Sequence, residues 1–248
     1  MSSLADKISI IINRELNKEQ NINQYRKPLV GFASAHDPLF AKMKELIGPH
    51  ILHPTELLPQ AKTVVAFFLP YSKYIVQANR NSTGVAKEWA KAYVKTNKLI
   101  ETICLELTEE LRQQHVIATF QKATHNFNKQ DLTAPWSHRS AAYVAGLGTF
   151  GLNRMLITPS GCAGRFGSII ISAEIEPTPP PKEEYCLYFK SRKCRFCINN
   201  CPVGALTENS LDKQKCYVHL LATAKKFPKL GFCDVCGKCT VGPCALMG

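Results

Sequence analysis

The chain has 248 residues, 45% of them hydrophobic, enough for one substantial core, and a formal net charge of +12. No apolar run approaches the roughly 18 residues of a membrane span. The first eighteen residues carry Asp6, Lys7, Arg14 and Glu15 and no apolar stretch of signal-peptide length. The expectation is therefore a cytoplasmic protein with reduced thiols and no disulfide framework.

Residues 4–16 place Leu4, Ile8, Ile11, Ile12 and Leu16 at helical spacing, and residues 29–33 read as a short strand. Pro38 opens a helix that Gly48-Pro49 ends. Val64 to Leu69 is an unbroken apolar run, as expected of a central strand buried on both faces. The longest helix spans about 85–113, its inner stripe being Trp89, Tyr93, Thr96, Ile100, Ile103, Leu107 and Leu111. A strand over 116–120, a short helix near 137–145, a glycine turn and strands at 155–158 and 168–173 complete a body of residues 1–178. Pro177, Pro179, Pro180 and Pro181 then make a stiff passage into a tail of residues 179–248. The order of elements predicts an α/β or α+β body with a small second domain appended.

Nine of the eleven cysteines lie between Cys186 and Cys244. Cys194-x2-Cys197-x3-Cys201-Pro202 carries the ending of the bacterial ferredoxin motif, with Cys186 close enough to join it. Cys216 follows alone, then Cys233, Cys236, Cys239 and Cys244. Two [4Fe-4S] clusters need about eight thiolates, and the tail offers nine. Zinc is the rival, since two C-x2-C pairs suit zinc knuckles, but the remaining thiols exceed a single zinc site. Cys104 and Cys162 read as small buried hydrophobes. Residues 182–238 hold eleven Lys or Arg against five acids. These cations offset cluster charge, and those near Lys190 to Arg195 suit an acidic electron donor or RNA.

Gly146, Gly148 and Gly151 match G-x-G-x-x-G, yet a helix precedes the motif and a strand follows it. That order is the reverse of a dinucleotide site. The glycines are expected instead to end the helix and let backbone approach a packed element or a flat cofactor.

The run Ala145-Gly146-Leu147-Gly148-Thr149-Phe150-Gly151-Leu152-Asn153, then Met155-Leu156-Ile157-Thr158-Pro159 and the cysteine tail, resembles epoxyqueuosine reductase and the corrinoid reductive dehalogenases. Thr133-Ala134-Pro135 and residues 57–65 extend the likeness over most of the chain. The resemblance implies a nitroreductase-like mixed sheet flanked by helices, a bacterial ferredoxin-like domain with two [4Fe-4S] clusters, and a cobalamin reduced by them. It implies one cluster on Cys186, Cys194, Cys197 and Cys244. The other would take Cys201, Cys216, Cys236 and Cys239, leaving Cys233 spare. Gly146, Gly148, Gly151 and Asn153 would face the cofactor, with flavin as the substitute. The implied partners are a low-potential donor of the ferredoxin or flavodoxin type and a small-molecule or RNA substrate.

The chain departs from the family pattern where an acid precedes Thr133-Ala134-Pro135, since Leu132 stands there with Asp131 one residue earlier. The resemblance also leads to the expectation that the C-terminal helical extension, which the family turns towards transfer RNA, is missing. His138 and Asp131 are the expected substitutes for the proton donor, His138 because its ordinary pKa suits neutral pH. Arg139 and Arg165 are expected to grip a cofactor phosphate or carboxylate. The resulting expectation is a reductase that passes electrons to a corrinoid, or else a corrinoid-free electron carrier serving a partner protein.

Overall fold

The computed structural model describes residues 3–18 and 23–247. Met1 and Gly248, the outer limits of the two expected domains, lie outside the described residues. Helix α1 (Leu4–Leu16) starts at a reciprocal cap in which Ser3 and Asp6 satisfy each other's backbone N–H. After strand β1 (Leu29–Ser34), helix α2 (Pro38–Ile47) is capped by the Asp37 side chain and stops at Gly48, whose φ is 142°. A single turn, α3 (Pro54–Leu57), leads into β2 (Thr63–Pro70), then α4 (Lys73–Asn81) and the long α5 (Lys87–Arg112). Strand β3 (Ala118–Phe120), helix α6 (His138–Val144), the small hairpin β4 (Thr149–Phe150) and β5 (Leu156–Ile157), and strand β6 (Gly164–Ile171) complete the body. The tail holds α7 (Leu187–Ser191), α8 (Phe196–Asn199), α9 (Lys213–Lys226) and three 3-10 turns, the last two at Lys238–Thr240 and Pro243–Ala245.

The main sheet has the order β1-β2-β6-β3, and every neighbouring pair is antiparallel. A mixed sheet was the expectation. Strands β2 and β3 flank β6 and run in the same direction, joined by a crossover through α4 and α5, and β6 runs back between them. Every residue of β2 is buried, and its side chains alternate between two cores. Val65, Phe67 and Leu69 join Ile8 and Ile12 of α1 and Ile100, Ile103 and Leu107 of α5. Val64, Ala66 and Phe68 join Phe40 of α2 and Ala141 and Ala142 of α6 on the opposite face.

The proline passage does not stand clear of the body. Thr178 donates its N–H to Phe32 O at 2.8 Å and receives the Phe32 N–H on Oγ1 at 3.0 Å. The tail then grips α4 and its end: Asn79 Nδ2 donates to Cys236 O at 3.0 Å, and Arg80 donates to Val241 O and Gly242 O. Gly237, at φ 71°, lies so close to the Trp89 ring that an added Cβ would come within 2.3 Å of it. Only a glycine fits both demands.

Candidate metal centres and their cavity

Cys186 at the start of α7, Cys194, Cys197 in α8 and Cys244 in the last 3-10 turn line one small void, which Cys239 also touches. Leu152, Asn153 and Ile157 of the body form part of its wall. Leu152 N–H donates to Cys186 Sγ at 3.4 Å. The Cys197 thiol is pushed up to about 11, first by burial and then by Cys244, Cys186 and Cys194. Such a group cannot hold four thiolates without cations among them, which a metal cluster supplies.

A second group forms beside it. Cys216 is pushed up to about 11 by burial, then by Cys236 and Cys201. Cys239 is raised by burial and then by Cys236 and Cys216, with smaller effects from Cys197 and Cys201, so it stands between the two groups. Ala205 N–H donates to Cys201 Sγ at 3.3 Å. Among the described residues, no three His, Cys, Asp or Glu side chains converge as a single metal ion requires. Thiols around a cube of iron and sulfide are spaced more widely than thiols around one zinc ion.

Cys233 turns the other way: it is fully buried beside Ala90 and Tyr93, with Sγ 3.5 Å from Ala90 O. Cys104 is buried under β6. Cys162 is also buried, but its sulfur is 3.7 Å from Cys244 Sγ and 3.6 Å from Asn153 Nδ2. Sequence spacing cannot reveal that neighbour, because 82 residues separate the two cysteines.

One buried cation, Lys238, and one exposed cation, Arg80, lie against the backbone of the thiol region. Lys238 is 5% exposed, and its Nζ donates only to Asn79 O, Ser82 O and Ser82 Oγ. Arg80 makes its bonds to the carbonyls of Val241 and Gly242. Among the described residues, neither has a carboxylate within ion-pair distance. A buried ammonium without a counter-charge is costly, and a cluster bearing about −2 with its thiolates provides one.

The second thiol group opens into a cavity of about 520 Å³ between tail and body. Cys216, Cys236 and Cys239 lie on one wall; Trp89, Tyr93, Arg139 and Arg165 lie on others. Arg139 Nε, Arg165 Nε and Trp89 Nε1 are buried without a hydrogen-bond partner. Arg139 Nη1 meets Met155 Sδ at 3.0 Å and its guanidinium lies 6.0 Å from the Phe150 ring, while the Arg165 guanidinium stacks 4.5 Å over the Tyr93 ring. Three orphaned donors around one cavity call for a ligand rich in acceptor oxygens. Arg139 and Arg165, the two residues expected to grip a cofactor, both line this cavity.

The glycine motif does something else. A Cβ on Gly146 would meet Pro179 O at 2.6 Å, one on Gly148 would meet Ile157 O at 2.1 Å, and one on Gly151 would meet Ile157 Cδ1 at 2.5 Å. These glycines press against the chain's own backbone and hairpin, and none of the three lines the large cavity. Asn153 belongs to the thiol region: its amide donates to Cys239 O at 3.2 Å and its Oδ1 accepts from Met155 N. The residues just after the motif, Leu152 and Asn153, line the first thiol void.

Of the two expected proton donors, His138 lines a pocket that shares Arg139, Met155, Gly164 and Arg165 with the cavity, and Asp131 does not line the cavity. His138 is buried, with Nδ1 2.7 Å from Ser168 Oγ and Nε2 3.2 Å from Lys122 O. Trp136 donates to the same hydroxyl at 2.9 Å, so the consistent assignment is Trp136 to Ser168 to His138 to Lys122 O. Burial lowers the imidazole to about 4, which leaves it neutral and fully bonded near pH 7. Asp131 is exposed and accepts from Thr133 N–H and Oγ1, which hold its carboxyl below the usual range. It does not line the cavity; Leu132, in a left-handed conformation with φ 55°, does.

The cavity instead presents Tyr93, whose Oη donates to Asp234 Oδ1 at 2.6 Å. His125 Nε2 lies 3.0 Å from that same oxygen. Burial, and next the adjacent Asp234 after the opposing pull of Arg165, pushes the Tyr93 phenol up to about 12.

Fold and thiols together define a class: an antiparallel α/β body interlocked with a tail bearing two groups of cysteines. Within that class the chain resembles epoxyqueuosine reductase. The Bacillus cereus enzyme is 28% identical, the match covering 88% of this chain and 62% of the relative. The Escherichia coli K12 enzyme is 28% identical over 67% of this chain and 42% of its own. The chain thus spans about three fifths or less of these relatives' length. In fold, epoxyqueuosine reductase from Streptococcus thermophilus matches 96% of this chain and 66% of its own with a TM-score of 0.60 at 17% identity. An epoxyqueuosine reductase solved with a modified tRNA stem loop matches with a TM-score of 0.58 at 21% identity, over the same shares. A catabolic reductive dehalogenase in complex with 3-bromo-4-hydroxybenzoic acid matches 86% of this chain and 29% of its own, with a TM-score of 0.56 at 14% identity. No family model matches the chain. No helix among the described residues is long and apolar enough to cross a membrane.

Proposed function

We propose that this chain is a cytoplasmic iron–sulfur reductase carrying two [4Fe-4S] clusters in a ferredoxin-like domain of residues 179–248. The first cluster takes Cys186, Cys194, Cys197 and Cys244; the second takes Cys201, Cys216, Cys236 and Cys239. Cys233 takes no part. The observation that carries the reading is the second thiol group opening into a cavity whose other walls hold unpartnered Arg139, Arg165 and Trp89 donors.

The body's cavity is proposed to hold a cobalamin, with flavin as the substitute. Its residues fit such a group, because Arg139, Arg165 and Trp89 offer N–H donors to carboxamide or phosphate oxygens, and Tyr71, Phe127 and Tyr217 offer apolar wall. When bound, the corrin supplies a cobalt centre that takes electrons and acts on an oxidised organic substrate, a small molecule or a modified RNA base. The protein's part is to bind and orient that substrate and to supply a proton. The Tyr93 Oη–H points to Asp234, and a proton reaching Asp234 from His125, at the protein surface, would reverse that bond and turn the Tyr93 hydrogen to the cavity.

Adding cob(II)alamin to the anaerobic protein should change the cobalt electron-paramagnetic spectrum, and the change should weaken in Arg139→Ala. An unaltered spectrum at saturating protein, with clusters present, leaves a corrinoid-free electron carrier as the function.

A further inference from the structure

We propose that the surface over the first thiol group is the docking face for an acidic one-electron carrier such as flavodoxin, and that electrons enter there; this rests on the iron–sulfur reading above. The second group opens into the cavity, so its outer side is where a substrate or cofactor sits. The first group has no such opening, yet Cys194 is only half-buried, and it stands between the exposed Lys193 and Arg195. Residues 187–195 carry Lys190, Arg192, Lys193 and Arg195 and no acid. Leu187 and Phe189 project from the same segment, 39% and 40% exposed, and Leu187 also lines the thiol void. Arg192 turns the chain at φ 59° and stacks its guanidinium 5.1 Å from the Tyr188 ring. Of the four cations, Lys190 pairs with Glu183 and Arg195 with Glu208, while Arg192 and Lys193 form no ion pair among the described residues.

This is the composition that electron-transfer encounters use. Redox complexes are small and transient, steered by opposite charge and seated on a few apolar side chains. Electron transfer weakens steeply with distance, which favours entry beside a half-buried ligand. Nucleic acid would be drawn by the same charges, but here they ring a redox centre and do not line a groove. In the step itself, the anionic flavin hydroquinone of flavodoxin loses one electron and becomes the neutral semiquinone. A [4Fe-4S] cluster on the first thiol group takes that electron, passing from the 2+ to the 1+ level. No bond or proton changes hands.

The test is anaerobic stopped-flow mixing of the cluster-loaded protein with acidic flavodoxin hydroquinone, following semiquinone formation. It is paired with calorimetric titration of the same protein with oxidised flavodoxin. The wild-type rate should fall steeply with added salt, and the double variant Arg192→Glu/Lys193→Glu should be about tenfold or more slower with weakened binding. Reduction by dithionite, which needs no docking, should be unchanged in the variant. A variant as fast as the wild type, or a rate independent of salt, overturns the proposal. So does a variant that keeps flavodoxin reduction but loses binding to a tRNA stem loop, which would assign the patch to RNA. Failure of dithionite to reduce any centre in the wild type refutes the iron–sulfur reading itself. If the double variant holds no iron, Phe189→Ser carries the same test, with the same slowing expected and an unchanged rate overturning it.

Discussion

At the scale of single residues, environment decides which titratable groups can act. His138 has the right ordinary pKa for a proton donor at neutral pH and the wrong surroundings. Its folded value, about 4, lies below the unfolded value of roughly 6.5. Between those values the unfolded chain binds a proton that the folded chain refuses, so stability present at pH 7 is lost as pH falls. The wild type should lose about 2 kcal/mol more than His138→Gln between about pH 7 and pH 5. Urea midpoints of the two proteins measure this, and equal losses would contradict the buried, neutral imidazole. Tyr93, by contrast, keeps its proton at the cavity wall, and Tyr93→Phe should slow substrate turnover by about a hundredfold while leaving cluster spectra intact. Unchanged turnover would remove Tyr93 from the chemistry. The thiols could be found from sequence because their spacing is their chemistry. The Tyr93–Asp234 pair could not, since 141 residues separate its members and Tyr93 falls on a helical stripe that reads as core.

At the scale of elements, periodicity carried most of the body. The apolar run of β2 and the stripe of α5 fall where burial requires them, because both elements are packed along their whole length. Strand direction was not legible: an antiparallel sheet and a mixed one bury the same side chains. Helix α4 was missed because its buried face, Ile75, Val76 and Asn79, is narrow and includes a polar residue that caps α5 by accepting from Ala86 N. The glycine motif was legible as a place of close approach, but not what approached it. Its glycines set the β4–β5 hairpin, which brings Leu152 N–H to Cys186. Gly148→Ala would drive a Cβ against Ile157 O and push that hairpin away. Its expected result is a protein that folds less stably, by about 1–3 kcal/mol, and holds less iron than wild type. Wild-type iron content together with wild-type stability would show that the hairpin does not support the first centre.

Across the whole molecule, body and tail depend on one another. Body residues Asn79, Arg80 and Asn153 bond to backbone between Cys236 and Gly242, and tail residue Lys238 is buried among carbonyls of the body. An anionic centre in the tail would offset the buried Lys238, and metal binding and tail folding would then be coupled. The excess of positive charge, readable in composition alone, thereby divides into cations that face the centres and others, such as Lys193, that face solvent. The central claim is the sorting of nine tail thiols into two groups of four and one bystander. Iron and acid-labile sulfide analysis of anaerobically prepared wild type, Cys233→Ser and Cys236→Ser tests it most directly. The account expects about eight iron and eight sulfide per chain in the wild type and in Cys233→Ser, falling to about four of each in Cys236→Ser. Zinc in place of iron, about four iron in the wild type, or loss of a cluster in Cys233→Ser would contradict it.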